Sequence, residues 1–234
     1  MLKRALIALA AAVGIAAAIA LGFWQWGRGA QKTALHEAME RQESLPALGA
    51  EALADAQAVH RTVVLRGTWI PERTIWLDNR QMNALPGFYV VTPLKLEGGN
   101  TVVLVQRGWA PRNFTRREAL PPVATPAGPV EVKGRLAPPP AKLYALGGEE
   151  TGPIRQNLDL GRFRAETGLP LAPLSVQQTG AASEGLLRQW PQAGSGAEKN
   201  YGYAFQWWAI AALIAILYAW FQYILPRRRQ ARGL

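Results

Sequence analysis

The chain has 234 residues, of which 26 are Lys or Arg and 16 are Asp or Glu, so its formal net charge is +10. This length allows one domain, or one domain with membrane segments. Seven of the 26 basic residues flank two apolar runs, and the segment 29–200 holds the other 19 with all 16 acidic residues. The excess charge therefore lies at membrane boundaries, and no nucleic-acid partner is predicted. The absence of Cys excludes disulfides and Cys-ligated metals.

The first apolar run, residues 5–26, contains no charged residue and follows two basic residues. A helix over this run would be about 33 Å long, enough for the roughly 30 Å hydrocarbon core of a bilayer. The run is longer than the apolar region of a cleaved signal peptide, and it ends in the interfacial residues Trp24 and Trp26. It predicts transmembrane helix 1, uncleaved, with residues 1–4 in the cytoplasm.

Residues 31–44 have a helical pattern and are expected to continue the first span outward. Beyond residue 59 the chain is rich in Val, Thr, Leu and aromatic residues separated by Gly, Pro or Asn, which predicts strands. A short helix is predicted at 160–167, with Gly168 near its C-terminal end. The predicted strands are 62–69, 73–77, 87–96, 101–109, 130–136 and 173–178. These elements predict one β-rich (α+β) domain over residues 27–202, with a small-residue linker at 193–197.

A second uncharged run, residues 203–225, predicts transmembrane helix 2, which Pro226 is expected to end before the basic tail 226–234. Gln25 and Gln206 lie at similar depth in the two spans and are expected to hydrogen-bond across the pair. Because positive clusters concentrate on the cytoplasmic side, both termini are expected in the cytoplasm and the main domain in the periplasm. The predicted fold class is an inner-membrane protein with two transmembrane α-helices flanking one β-rich extracytoplasmic domain.

The sequence contains no phosphate-binding glycine loop, no HExxH pair and no G-x-S-x-G elbow, so we predict no enzyme and no catalytic residues. Three Met, two His and no Cys cannot build the usual copper site, and no metal site is predicted. His36 and His60 are interpreted as ordinary polar residues, because a lone imidazole needs further ligands to hold a metal. A hydrolase or transferase whose side chains converge only in the fold is a third hypothesis.

The start of the second span offers a candidate ligand-binding face. Asn200, Tyr203 and Trp207 share helical spacing with Ala204 and Ala211. A face that is polar at the membrane surface and aromatic below it suits a flat amphipathic ligand. The alternative interpretation is an ordinary aromatic belt, since Trp and Tyr concentrate at membrane interfaces.

Several blocks of the sequence, in this order, resemble the surfeit locus protein family, the assembly factors of cytochrome c oxidase. The blocks are 21–28 with Lys32, 77–80, 87–94, 105–111, 185–191 and 201–208. The two-span topology also matches that family. The resemblance implies an assembly factor that assists maturation of oxidase subunit I and insertion of haem a, with subunit I, haem A synthase and membrane lipid as partners. The alternative is a membrane-anchored periplasmic adaptor or structural protein unrelated to oxidase assembly.

One position departs from the family pattern. Members often carry His, the expected haem ligand, where this chain has Asn200. An amide is a poor axial ligand for haem iron, which puts haem a in doubt as a cofactor. Three alternatives follow: haem held by shape with Arg28 or Lys199 pairing its propionates, haem ligated elsewhere by His36 or Tyr201, or assembly assisted without haem.

The central blocks contain Arg80, Arg107 and Trp109, for which two interpretations are open. Gly and turn residues in these blocks suit fold maintenance, with Asp78 and Asn79 forming a turn or bulge after a strand. In the alternative interpretation, Arg80, Arg107 and Trp109 form a partner-binding surface recognised by the oxidase subunit.

Overall fold

The structure is a computed structural model that describes residues 2–116, 119–144, 151–191 and 196–231. The chain divides into two compact units. We call residues 2–38 with 196–231 the helical unit, and residues 39–191 the β unit. Of the predicted linker at 193–197, residues 193–195 lie outside the described residues.

The helices and strands are taken in chain order. They are α1 (Leu2–Glu43), β1 (Thr62–Trp69), β2 (Ile75–Met82), β3 (Leu85–Leu96), β4 (Val102–Pro111), β5 (Pro129–Ala137), β6 (Ile154–Arg155), α2 (Leu160–Thr167), β7 (Leu171–Gln178), α3 (Ala197–Ala219), a π-helical turn (Trp220–Ile224) and α4 (Leu225–Ala231). The helices Leu2–Glu43 and Ala197–Arg228 are long and apolar enough to cross a membrane. The chain therefore has two long apolar helices with a β-rich domain between them.

The long helices extend beyond the predicted spans. α1 takes in both the first apolar run and the segment predicted to continue it, without a break. α3 begins at Ala197, earlier than the second apolar run, because Gly196 adopts a left-handed conformation and Glu198 in the first turn suits the helix dipole. The expectation that Pro226 ends the helix is wrong, since α4 continues past it. Pro226 follows the π-helical turn in the first turn of α4, where its missing N–H is tolerated.

Five strands of the described β unit close into a ring. The sheet order is β1-β5-β7-β4-β3-β2-β6, and β1 also pairs with β3. The end of β3, Leu94–Leu96, pairs with Gly67–Trp69, while its first half pairs with β2. Gly67 permits this closure, because a Cβ there would lie 2.3 Å from the carbonyl oxygen of Lys95. β2 and β6 therefore extend the sheet beyond the ring.

The ring encloses an apolar core that follows from the alternation along its strands. In β1 every second residue is buried, which places Val63, Leu65 and Trp69 inside. Leu53, from the 3₁₀ turn Ala50–Ala54, packs against the same cluster. Full burial of a Val or Leu side chain contributes about 1.5–3 kcal/mol, so such positions dominate the stability of this unit.

β2 contains the irregularity predicted at Asp78 and Asn79. The pairing register with β3 shifts between Leu77 and Arg80. Asn79 has φ of +58°, and its N–H donates to Asp78 Oδ1 at 2.7 Å. The strand resumes after this bulge, so β2 is longer than predicted. A bulge re-aims the side chain that follows it, here that of Arg80.

Candidate functional site

A chain of side-chain hydrogen bonds joins α1 to the first turn of α3. Lys32 Nζ donates to Asn200 Oδ1 at 2.9 Å, and Asn200 Nδ2 donates to Gln25 Oε1 at 2.7 Å. We call Gln25, Lys32 and Asn200 the amide clasp. Gln25 therefore bonds Asn200, whereas its expected partner Gln206 is exposed. Both ends of the Asn200 amide are engaged within the helical unit.

Glycines and aromatic rings bring the two long helices together beside the clasp. A Cβ on Gly22 would lie 2.2 Å from Nε1 of Trp208, and one on Gly29 would lie 2.8 Å from Cε1 of Tyr201. The Trp26 ring lies between these contacts, 4.8 Å from the Tyr201 ring and 5.9 Å from the Trp208 ring by centroid distance. The aromatic rings thus occupy the space that the missing glycine side chains leave open.

The predicted ligand-binding face is not presented as one open surface. The polar atoms of Asn200 are turned toward α1, and the neighbouring Ala204 is fully buried. Tyr203 is 52% exposed, and Trp207 is half-buried. Asn200, the polar residue of this face, therefore bonds to α1, whereas the aromatic residues Tyr203 and Trp207 lie outside the amide clasp.

The residues at this position do not fit an axial ligand for haem iron. Proteins hold haem iron through imidazole, thiolate, thioether or phenolate groups, and the amide of Asn200 is none of these. Tyr201 packs on Gly29, and its hydroxyl oxygen lies 3.3 Å from Oγ1 of Thr33. Arg28 and Lys199, the expected propionate partners, are both exposed.

An apolar groove of about 670 Å³ runs between α1 and α3. α1 contributes large side chains to it, whereas α3 contributes one Trp and three Ala. The lining residues are Ile15, Ile19, Phe23, Trp208, Ala211, Ala212 and Ala215. Small residues allow another helix to approach closely, so the groove suits an apolar helix within a bilayer.

Arg80, Arg107 and Trp109, which the sequence offers as a partner-binding surface, lie largely inside the described β unit. Their exposed fractions are 6%, 0% and 3%, respectively. Trp109 Nε1 donates to the carbonyl oxygen of Arg80 at 2.8 Å, which ties the bulged strand to β4. These contacts fit the alternative interpretation, fold maintenance.

Arg107 has charged, polar and aromatic neighbours in the β unit. Its Nη1 donates to Thr125 Oγ1 and its Nη2 to the carbonyl oxygen of Ala124, both at 2.7 Å. Nη2 also lies 3.0 Å from Oε2 of Glu184, and the guanidinium lies 4.7 Å from the ring centroid of Trp69. A buried guanidinium is tolerated because a carboxylate balances its charge.

Arg188 shares the same carboxylate. Its Nη2 lies 3.2 Å from Oε2 of Glu184, and its Nε donates to the carbonyl oxygen of Arg107 at 3.0 Å. Burial lowers the pKa of Arg188, the Glu184 carboxylate opposes this shift, and the positive charge of Arg107 adds to it. Two arginines and one glutamate thus fasten the segment before Pro191 to β4. Sequence reasoning missed Glu184, whose partner Arg107 is distant in the chain.

The described residues contain no group of three or more His, Asp or Glu side chains placed to hold a metal ion.

The sequence model of the SURF1 family matches residues 12–212 of the chain. The matched range takes in most of α1, the β unit and α3 as far as Ala212, and therefore both the amide clasp and the buried arginines. A comparison of the sequence with curated proteins found no match.

Proposed function

Because the chain belongs to the SURF1 family, which is associated with cytochrome oxidase assembly, we propose that it is a non-catalytic assembly factor for subunit I of a haem–copper oxidase. The observation that carries the proposal is the match over residues 12–212, which includes both long helices and the β unit. The family resemblance adds haem A synthase as a second proposed partner.

The proposed location is the bacterial inner membrane, with the β unit in the periplasm. Both long helices have the length and apolar composition of membrane spans. Basic residues precede the first apolar run and follow the second one. The excess of Lys and Arg on the cytoplasmic side of membrane proteins supports cytoplasmic termini.

We place the proposed contact with subunit I at the apolar groove of the helical unit. Lipid tails are as apolar as the groove, so shape rather than hydrophobicity must select a partner within the bilayer. Ala212 and Ala215 leave room for a neighbouring helix, and Phe23 and Trp208 supply rigid aromatic contacts. A transmembrane helix of subunit I is the proposed occupant.

The proposed assistance does not require haem ligation at residue 200. Asn200 holds α1 and α3 together through the amide clasp, and its amide is a poor ligand for iron. The protein then acts by holding subunit I in a form that accepts its cofactor. The handling of haem a itself is proposed to lie with the partners.

Deletion of the gene tests the proposal. We expect membranes of the deletion strain to lose most of the reduced haem a band and oxidase activity, and plasmid-borne wild type to restore both. Unchanged haem a content and oxidase activity after deletion would overturn the proposal and favour a membrane adaptor unrelated to oxidase.

A pair of substitutions on α3 tests the proposed contact. Ala212→Trp fills the groove, whereas Ala209→Trp places the same side chain at an exposed position that does not line it. We expect only Ala212→Trp to fail in restoring the haem a band, with both proteins present at equal levels. Equal restoration by both variants would remove the groove from the contact.

A further inference from the structure

Three arginines of the described β unit are buried, and two of them face a carboxylate. Arg107 pairs with Glu184 at 3.0 Å. Arg155 donates to both oxygens of Glu166, at 2.8 and 2.6 Å. Arg80 is buried to the same extent as Arg155, but no Asp or Glu of the described residues forms an ion pair with it.

Within the described ranges, the contacts of Arg80 leave its charge without a counter-ion. Its Nη2 donates to the carbonyl oxygen of Gln156 at 3.0 Å, and its guanidinium lies 5.7 Å from the ring centroid of Tyr89. Its Nε is buried and has no hydrogen-bond partner in the part of the chain that the structure describes. The nearest carboxylate in the sequence, Asp78, is 3.2 Å from Nη2 of Arg112 instead.

An unbalanced buried guanidinium is costly, because arginine stays charged at all physiological pH values. Burial lowers the pKa of Arg80 and raises that of Tyr89 beside it, as expected for groups withdrawn from water. The Nε of Arg107 also lacks a hydrogen bond among the described residues, but the guanidinium of Arg107 lies beside a carboxylate, that of Glu184. Arg80 thus differs from the other buried arginines in its charge balance.

Arg80 lines an open cleft of about 450 Å³. This volume lies within the range of roughly 300–1,000 Å³ that is usual for small-molecule sites. The cleft combines polar and apolar side chains, and its lining residues are Asn79, Arg80, Gln81, Tyr89, Leu143 and Tyr144. The bulge at Asn79 is what turns the following arginine toward the interior and this cleft.

We propose that this cleft binds a small organic anion, a carboxylate or phosphate ester that carries an aromatic or apolar body. A guanidinium donates charge-assisted hydrogen bonds to the oxygens of either group, and such bonds are about twice as strong as neutral ones. Asn79 and Gln81 add hydrogen-bonding groups, and Tyr89 and Tyr144 add rings on which a planar body packs. The site does not depend on the proposed role in oxidase assembly.

The test uses the full chain in detergent and a ligand-observed NMR titration. The probes are benzoate, phenyl phosphate and benzamide, which share a ring and differ in charge. We expect at least one of the two anions to bind about tenfold more tightly than neutral benzamide, because only an anion balances Arg80. Equal affinity for benzamide and both anions would overturn the proposal. Which anion binds better identifies the preferred headgroup.

Two glutamine substitutions locate the binding. Gln81→Glu adds a negative charge at an exposed position of the cleft, whereas Gln57→Glu adds it at an exposed position that does not line the cleft. We expect Gln81→Glu to weaken binding of the preferred anion about fivefold or more, by like-charge repulsion, and Gln57→Glu to change it less than twofold. Equal affinities in the two variants would overturn the site. Arg80→Met is expected to abolish anion binding. If Arg80→Met does not fold, the comparison of Gln81→Glu with Gln57→Glu still tests whether the anion binds in the cleft.

Discussion

The helical unit and the β unit of this chain are stabilised in opposite ways. The β unit closes a ring of strands around an apolar core and balances Arg107 and Arg155 with carboxylates. The most apolar windows of the two long helices are only 11% and 6% buried, so their apolar surface needs a bilayer or partner helices to cover it. Buried arginines therefore support the β unit from inside, whereas the helical unit leaves most of its apolar surface uncovered.

We expect the largest loss of stability in the β unit when the charge of Arg107 is removed. Arg107→Met deletes two hydrogen bonds and leaves Glu184 facing Arg188 alone. Hydrogen bonds to charged groups contribute about 1.5–3 kcal/mol each, so losing both is expected to lower the free energy of unfolding substantially. Thermal unfolding in detergent, followed by far-ultraviolet circular dichroism, measures this loss.

Arg66→Met is the matched control for this prediction. Arg66 also pairs with a glutamate, Glu131, at 3.0 Å, but its side chain is 70% exposed. Exposed pairs contribute only about 0–1 kcal/mol. A similar loss of stability in both variants would contradict the structural role assigned to Arg107.

In the helical unit, Gly22→Ala is expected to force the two long helices apart. The added Cβ would overlap the indole of Trp208, and overpacking of this kind costs about 1–3 kcal/mol. Gly27→Ala is the control, because a Cβ there would meet no atom within 4 Å. Tryptophan emission should shift in Gly22→Ala alone; an unshifted spectrum in that variant would contradict the described helix packing.

A smaller effect is expected from the amide clasp. Asn200→Ala removes both hydrogen bonds that Asn200 makes to α1. Interhelical side-chain hydrogen bonds in membranes contribute on average about 0.6 kcal/mol and at most about 1.7 kcal/mol. We expect a modest loss in thermal stability that the exposed control Gln206→Ala does not show. A loss confined to Gln206→Ala would instead favour the pairing of Gln25 with Gln206.

The smallest expected effect concerns the pH dependence of the β unit. Burial first, and then the positive charge of Arg135, lower the pKa of His60, while Glu43 opposes both. The unfolded chain therefore binds a proton more readily than the folded one, and the free energy of unfolding falls as pH drops below the ordinary histidine value of 6.5. His60→Asn keeps a residue that tolerates the φ of +76° and should flatten this slope. Unfolding curves between pH 7.5 and 5.5 measure it, and an unchanged slope would contradict the assignment.

Local sequence signals predicted several elements of the fold well. β1 and α2 have the predicted bounds. The alternation of buried and more exposed residues defines β1, and the capping residues at both ends define α2. The side chain of Asp159 accepts from the N–H of Arg162 at the start of α2, and Gly168 adopts φ of +69° at its end. β6 was missed because a strand of two residues carries no periodicity.

Contacts between distant residues could not be predicted in the same way. Lys32 and Asn200 lie 168 positions apart, so no spacing rule reveals their hydrogen bond. The burial of Arg107 could not be predicted, because arginine is rarely buried unless it is paired. Its partner Glu184 comes from a different block, and only the folded chain brings the two together.

We propose that the protein assists oxidase assembly without ligating haem through Asn200. An optical spectrum of the detergent-purified chain, produced in cells that synthesise haem a, tests this most directly. We expect no stoichiometric reduced haem a band in the wild type. A stoichiometric band in the wild type that Asn200→Ala abolishes, while Gln206→Ala retains it, would contradict the claim.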